Sequence, residues 1–131
     1  MTSKQVMLTA WSLIGLMLAG CASSDQSRLT SPHPGREVWA VAPLLNESGT
    51  GQADGLKLAD KLARQLETAE GIEVLPVNRV LAAMEQQKLR AIDSREDART
   101  LRQALQADGL VLGTITAYDP YEPPKLGLAL E

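Results

Sequence analysis

Short apolar runs alternate with segments of helical periodicity from Glu37 onward, and this alternation restricts the fold more than any other feature. Four runs predict strands, because they are apolar or alternating and are bounded by turn residues. They cover residues 38–45, 72–77, 110–118 and 125–130. The third begins as a continuous apolar run, which is typical of a strand covered on both faces.

Three segments between these strands predict helices. The first covers residues 53–69, where one apolar face recurs at helical spacing. That face is formed by Leu58, Leu62 and Leu66. We expect Asn78 to cap a short second helix and Ser94 to open a third helix that runs to about residue 107. The order β-α-β-α-α-β-β predicts an α/β domain in which helices pack on a small mixed sheet.

Composition narrows the function classes. The chain has 131 residues, of which 44% are apolar and 22% charged, as in one globular domain. Its net charge of −3 argues against a nucleic-acid partner held by phosphate contacts. Only 3% of the residues are aromatic, which argues against a stacking platform. A single Cys and a single His argue against a metal site, so we expect no cofactor or metal.

The first twenty residues have the organisation of a secretory signal. Lys4 supplies a short positive start, and residues 6–19 are mainly apolar. This stretch is shorter than the roughly 20 residues of a bilayer-spanning helix. It ends in Leu18-Ala19-Gly20-Cys21, which resembles the lipobox of bacterial lipoproteins.

The lipobox resemblance implies a lipid anchor. A dedicated peptidase would cut between Gly20 and Cys21, the thiol of Cys21 would carry diacylglycerol, and its new amine would carry an acyl chain such as palmitate. Several chains on one residue form a durable membrane anchor. Ala22 stands where an Asp tends to retain Gram-negative lipoproteins at the inner membrane, so the resemblance implies the periplasmic face of the outer membrane.

Residues 21–36 are polar and rich in Ser and Pro, which is typical of a flexible tether. His33 lies between two prolines, and we interpret it as a solvated linker residue. The periplasmic domain would then cover residues 37–131. The alternation of its last strand is still running at Glu131, which leaves open an edge strand or a truncated domain.

Residues 37–118 carry a second resemblance. Four segments resemble parts of one periplasmic α/β module. They are the string 38–48 (VWAVAPLLNES), an amphipathic helix, the string 71–76 (GIEVLP) and the string 107–118 (ADGLVLGTITAY). That module is shared by the amino-terminal domain of TolB, the curli-secretion lipoprotein CsgG and related envelope lipoproteins. The resemblance implies an α/β fold and a role in a cell-envelope complex.

Two short segments are candidate partner surfaces. Asn46, Glu47 and Ser48 follow the first predicted strand, and in open α/β sheets ligands often bind beyond the carboxyl ends of strands. The alternative is a satisfied turn. Tyr118 and Tyr121 flank Pro120, and aromatic side chains beside rigid prolines favour contact surfaces. The alternative for this pair is a packed bend at the end of a strand.

Two other segments have plainer interpretations. The glycine-rich loop 49–55 precedes a helix, but it lacks the Gly-Lys-Ser/Thr of a phosphate-binding loop, so a structural turn is favoured. A locally basic region surrounds the third helix and is interpreted as a solvated face balanced by neighbouring acids. Its members are Arg90, Arg95, Arg99 and Arg102.

Together these features predict an outer-membrane lipoprotein that serves as a binding or assembly module of an envelope complex. The complex would act in secretion, polysaccharide export or cell-wall synthesis, and the module would contact an envelope protein or a second copy of itself. We expect no enzymatic activity, because the only His lies in the tether and cannot complete a Ser-His-Asp set. The alternatives are a subunit of an oligomeric export ring and an envelope hydrolase.

Overall fold

The computed structural model describes residues 30–131, so Gly20, Cys21 and the signal segment lie outside the described residues. The α/β class and the predicted order of helices and strands are confirmed. No helix in this described part combines the length and apolar character needed to cross a membrane. The strands are β1 Glu37–Val41, β2 Leu45–Asn46, β3 Ile72–Val74, β4 Gly109–Val111, β5 Gly113–Asp119 and β6 Lys125–Leu130. The helices are α1 Gly55–Leu66, α2 Val77–Gln86 and α3 Arg95–Leu105.

The strands form two sheets of three strands each. The first sheet has the order β3-β1-β4, and all its pairs are parallel. The second sheet has the order β2-β5-β6, with β2 parallel and β6 antiparallel to β5. Two of the four predicted strands therefore break, the first between β1 and β2 and the third between β4 and β5.

Local chemistry explains the first of these breaks. Pro43 has no backbone N–H and cannot donate to a strand ladder, so β1 ends at Val41 and pairing resumes at Leu45. The second break lies at Leu112, where the chain passes from the first sheet to the second.

Strand β1 is covered on both faces, because its side chains alternate between two apolar clusters. Val41 is buried with Ala59 and Ala63 of α1. Ala40 is buried with Val80 of α2 and Leu101 of α3. Helix α1 therefore lies on one face of the first sheet, and α2 and α3 lie on the other.

This arrangement creates a switch point in the first sheet. The chain leaves β1 through α1 to reach β3 on one side, and it then returns through α2 and α3 to β4 on the other side. In open sheets wound in this way, a crevice opens at the carboxyl ends of the two strands where the direction reverses. Here those two strands are β1 and β4.

The helix caps confirm one prediction and correct another. The Ser94 hydroxyl accepts a hydrogen bond from the Asp97 backbone N–H at 3.1 Å, as predicted for the start of α3. The prediction that Asn78 caps the second helix is wrong: α2 begins at Val77 after Pro76, and no side chain caps it. Pro76 has a φ of −57°, a value already suited to a helix start, so the helix begins before Asn78.

The end of the predicted tether contacts the domain. The backbone N–H of Ser31 donates to the carbonyl of Glu70 at 2.9 Å, and the Ser31 hydroxyl donates to the Glu37 carboxylate at 3.0 Å. Arg36 forms an exposed ion pair with Glu73 at 3.0 Å. Residues 30–36 therefore lie beside the turn that leads into β3, and His33 among them is exposed.

Candidate binding surface

A cleft of about 840 Å³ opens at the switch point of the first sheet. One wall is formed by residues 42–45, which follow β1, and another by residues 112–114, which follow β4. The connection between α2 and α3 closes a third side with residues 88–93. The cleft is therefore a direct consequence of the winding order.

The lining of this cleft is mainly apolar, with charges of both signs. Its larger apolar side chains are Leu44, Leu45, Leu81, Met84, Leu89, Ile92 and Leu112. Its charged residues are Glu85, Lys88, Arg90, Asp93 and Glu131. Within residues 30–131, no polar or charged residue is buried, and no group of three His, Cys, Asp or Glu residues is placed to hold a metal ion. This lining suits contact with an apolar group more than it suits acid–base chemistry.

The loop that carries Asn46, Glu47 and Ser48 is held by the Asn46 side chain. Its Nδ2 donates to the carbonyls of Thr50 at 2.8 Å and Ala53 at 3.1 Å. Its Oδ1 accepts from the Ser48 backbone N–H at 3.1 Å and from the Ser48 hydroxyl at 2.7 Å. Asn46 and Ser48 thus shape the loop, while the Glu47 side chain is exposed.

The glycine-rich loop 49–55 ends in the cap of α1. Asp54 Oδ1 accepts from the backbone N–H groups of Leu56 and Lys57, both at 3.1 Å. The hydrogen bond from the Lys57 backbone is the main cause that lowers the pKa of Asp54 below its ordinary value, and the nearby Lys57 ammonium adds to it. The amides at this helix start already bind a carboxylate of the chain, which supports a structural turn.

The two candidate tyrosines have different surroundings. Tyr118 packs against the apolar cluster that contains Ile115, whereas Tyr121 is 73% exposed in the turn after β5. Because β2 and β5 are parallel, the segment 46–48 and both tyrosines lie at the same end of the second sheet. None of these five residues lines the cleft.

The basic residues around α3 divide between two depressions. Arg95, Arg99 and Arg102 line a shallow groove of about 320 Å³ between α3 and β4, and Arg90 lines the cleft. No salt bridge of these arginines occurs in the part of the chain that the structure describes. All four arginines are exposed, as expected for a solvated face, but within residues 30–131 they form no ion pair with the neighbouring acids.

The second sheet exposes an unusual amount of leucine. Leu126, Leu128 and Leu130, here called the β6 leucine face, are 48%, 39% and 47% exposed. They lie on one face of β6, because side chains on the same face recur every second residue. Leu45, on the opposite edge strand, is 49% exposed. Contiguous exposed apolar surface is typical of an interaction site.

The sequence pattern extends the first strand to residue 45 and therefore does not predict the cleft. Because ligands in open α/β sheets bind beyond strand ends, that strand end selects residues 46–48 instead of the cleft. The strand ends at Val41, so the residues that follow it are Ala42, Pro43 and Leu44. Pro43 was the signal that would have placed the strand end, and with it the cleft, correctly.

No family model, curated protein or solved structure matches the chain. The resemblance of residues 37–118 to the TolB and CsgG group therefore stays a prediction based on the sequence strings.

Proposed function

We propose that this chain is an outer-membrane lipoprotein whose α/β domain acts as a binding and assembly module in a cell-envelope complex. The observation that carries the proposal is the β6 leucine face, which leaves three leucines of one strand between 39% and 48% exposed. Burying apolar surface is the main favourable contribution to most protein associations. The β6 leucine face therefore favours contact with another protein over contact with water.

The proposed anchor explains how such a module would operate. Acyl chains on Cys21 would hold the domain at the periplasmic face of the outer membrane, and each buried methylene contributes about 0.8 kcal/mol to the attachment. Confinement to one surface raises the effective concentration of partners, so weak contacts suffice. Because Ser31 and Arg36 already contact the domain, residues 22–30 would set the distance between the membrane and the domain.

The proposal includes no enzymatic activity and no cofactor other than the covalent lipid on Cys21. The sole His of the chain is exposed at position 33, away from the cleft. The cleft itself is bordered by exposed charges. These observations favour a contact protein over an envelope hydrolase.

The anchor is tested by the intact mass of the full chain purified from the membranes of a Gram-negative host. We expect a mass equal to residues 21–131 plus diacylglycerol and one N-linked acyl chain, recovered in the outer-membrane fraction. Cys21→Ser is the control and should carry no lipid, and Ala22→Asp should move the protein to the inner membrane. An unacylated wild-type protein with another start residue would refute the anchor.

The binding role is tested with a photo-crosslinking amino acid placed at position 128 of the acylated protein in intact cells. The matched control position is Leu56, which is 43% exposed on α1. We expect a defined protein adduct from position 128 and none from position 56. Equal labelling from both positions, or no adduct from either, would contradict a binding module.

A further inference from the structure

The outer edge of β6 is the longest free strand edge among residues 30–131. Strand β6 has six residues and lies at the edge of the second sheet, whereas the other edge strands have two or three. An edge strand presents unpaired backbone N–H and C=O groups, which makes it a template for another strand. A contact by strand addition would therefore use β6 before any other edge.

The ladder between β5 and β6 shows which backbone groups of β6 are free. Glu131 exchanges hydrogen bonds with Leu112 at 2.9 and 3.0 Å, so its backbone groups point toward the sheet. The direction of these groups alternates along an antiparallel strand. The N–H and C=O groups of Leu126, Leu128 and Leu130 therefore point outward.

The side chains of β6 separate into an apolar and a mixed face. The β6 leucine face lies on the side of Ile115, which pairs with Leu128. The opposite face carries Lys125, Gly127, Ala129 and, directly after the strand, Glu131. Both charged residues thus lie on one face, at the two ends of the same segment.

We propose that a second copy of this chain pairs its β6 with this β6, antiparallel and with a two-fold axis at Leu128. This inference rests on the proposed function, because it names the partner of the β6 leucine face. In this register Leu128 faces Leu128 of the second copy, and Leu126 faces Leu130. Each of these pairs joins outward-pointing backbone groups, so the hydrogen bonds of the ladder are complete.

Charge complementarity selects this register over its neighbours. With the axis at Leu128, Lys125 of each copy faces Glu131 of the other, so two opposite-charge pairs close the two ends. Gly127 faces Ala129 between them. Moving the axis by one residue in either direction removes both Lys–Glu pairs and leaves a leucine at each end without an opposing leucine.

The pairing also gives each exposed leucine of β6 an opposing leucine across the new ladder, and this contact removes part of its surface from water. The β6 leucine faces of the two copies would form one continuous apolar surface on the same side of the joined sheet. A two-fold contact of this kind is closed, because the same patch is used by both partners. The β6 edges of both second sheets are consumed, which removes the longest edge that would otherwise recruit further strands and leaves only the two-residue edge of β2.

Disulfide trapping tests the axis on the full chain in detergent. Cys21→Ser removes the sole native thiol, and one cysteine is then introduced at a time. Opposed residues in a hydrogen-bonded pair have Cα atoms about 5.5 Å apart, within the range that a disulfide spans. We expect Leu128→Cys to form a covalent dimer on mild oxidation and the comparably exposed Leu56→Cys to form none.

The register is tested by mixing. Leu126→Cys mixed with Leu130→Cys should cross-link, whereas each variant alone should not, because equal positions then lie roughly 14 Å apart along the strand. Cross-linking of Leu126→Cys alone as strongly as in the mixture would overturn the register. Cross-linking of Leu56→Cys as strongly as Leu128→Cys would overturn the interface.

Charge exchange tests the ends of the interface in the acylated full chain. Sedimentation in detergent should show that Lys125→Glu and Glu131→Lys each weaken dimerisation by about 3- to 30-fold, because two favourable pairs become repulsive. The double variant restores opposite charges and should bind within about 3-fold of wild type. Failure of the double variant to recover would overturn the pairing, provided that circular dichroism shows all three variants folded.

These outcomes separate this inference from the proposed function. An acylated protein that stays monomeric and cross-links from position 128 to a different envelope protein would overturn the pairing and leave the binding module intact. An unacylated protein would overturn the anchor, and the disulfide experiment would still decide the pairing because it needs no lipid.

Discussion

The backbone N–H of Leu112 donates to the carbonyl of Glu131 at 3.0 Å, and the backbone N–H of Glu131 donates to the carbonyl of Leu112 at 2.9 Å. Leu112 is the single residue between β4 and β5, where the chain passes from the first sheet to the second. The pair therefore attaches the end of β6 to the junction of the two sheets. Residues far apart in sequence thus hold this junction together.

The junction leaves little room beside Gly113. A Cβ built there would lie 2.6 Å from Cδ2 of Leu130, 2.8 Å from Cδ2 of Leu44 and 3.1 Å from the Ala129 carbonyl oxygen. Both leucine atoms are the ends of flexible side chains, and Leu130 is 47% exposed, so side-chain rotation relieves part of this overlap. The Ala129 carbonyl is backbone and yields less readily, so we expect Gly113→Ala to lower the free energy of unfolding by about 1 kcal/mol. Urea denaturation monitored by circular dichroism measures this change.

Gly51→Ala is the matched control for this prediction. No atom lies within 4 Å of a Cβ built at Gly51. The control should change stability by no more than about 0.5 kcal/mol. If both variants unfold at the same urea concentration, the packing at the junction is looser than described.

The two residues that the sequence predicts as helix caps, Ser94 and Asn78, should differ in their effect on stability. Ser94→Ala removes the hydroxyl that accepts from the Asp97 N–H, and we expect it to cost about 1 kcal/mol of stability. Asn78→Ala should cost less, because Asn78 lies inside the first turn of α2, where alanine has the better helix propensity. Thermal unfolding of the two single variants compares them directly. An Asn78→Ala cost equal to that of Ser94→Ala would restore Asn78 as the cap.

Asp54 should make stability depend on pH at the acidic end. Its pKa is lowered by the hydrogen bond from the Lys57 backbone, so the ionised form is favoured in the folded protein. A group of this kind contributes fully above its unfolded pKa, ordinarily near 3.8, and the contribution is lost as the pH falls through the lower folded value. The stability difference between wild type and Asp54→Asn should therefore be constant at neutral pH and shrink below about pH 4.

The Asp54→Asn comparison isolates the charge. Asparagine caps a helix about as well as aspartate, so the cap geometry survives in the variant. Denaturant unfolding of both proteins at several pH values between 7 and 3 provides the measurement. A difference that grows as the pH falls would have the wrong sign for a lowered pKa.

The sequence predicted the parts of the fold that local periodicity determines. The apolar face of α1 and the Ser94 cap need only residues that are near one another in the chain, and both are present. The α/β class follows from the order of these elements. Asn78 was misplaced because Pro76, two residues earlier, already suits a helix start.

The division into two sheets depends on pairing between strands that are far apart in the sequence, and hydrophobic periodicity does not predict such pairing. Residues 110–118 have an unbroken strand pattern, yet β4 pairs with β1 and β5 pairs with β6. The partner of Leu112 is Glu131, and no local signal connects the two. The wall of the cleft at residues 112–114 follows from the same winding and has no local signal, whereas the wall that follows β1 is marked in the sequence by Pro43.

Two substitutions at the end of the second sheet distinguish residues that stabilise the domain from residues that are free to bind a partner. Asn46→Ala removes two donated and two accepted hydrogen bonds, and we expect it to lower stability by about 1–3 kcal/mol. Tyr121→Ala should change stability by no more than about 0.5 kcal/mol, because that side chain is 73% exposed. Differential scanning calorimetry of the two variants measures both effects.

The same two variants decide whether this end of the second sheet contacts a partner. If it does, a photo-crosslinker at position 47 should give an adduct that Tyr121→Ala reduces without any loss of stability. Tyr118→Ala is the contrasting variant, because Tyr118 packs against the apolar cluster and its loss should lower stability as well. An adduct that is unchanged in Tyr121→Ala and lost only in destabilised variants would mean that this end of the sheet shapes the domain and contacts nothing.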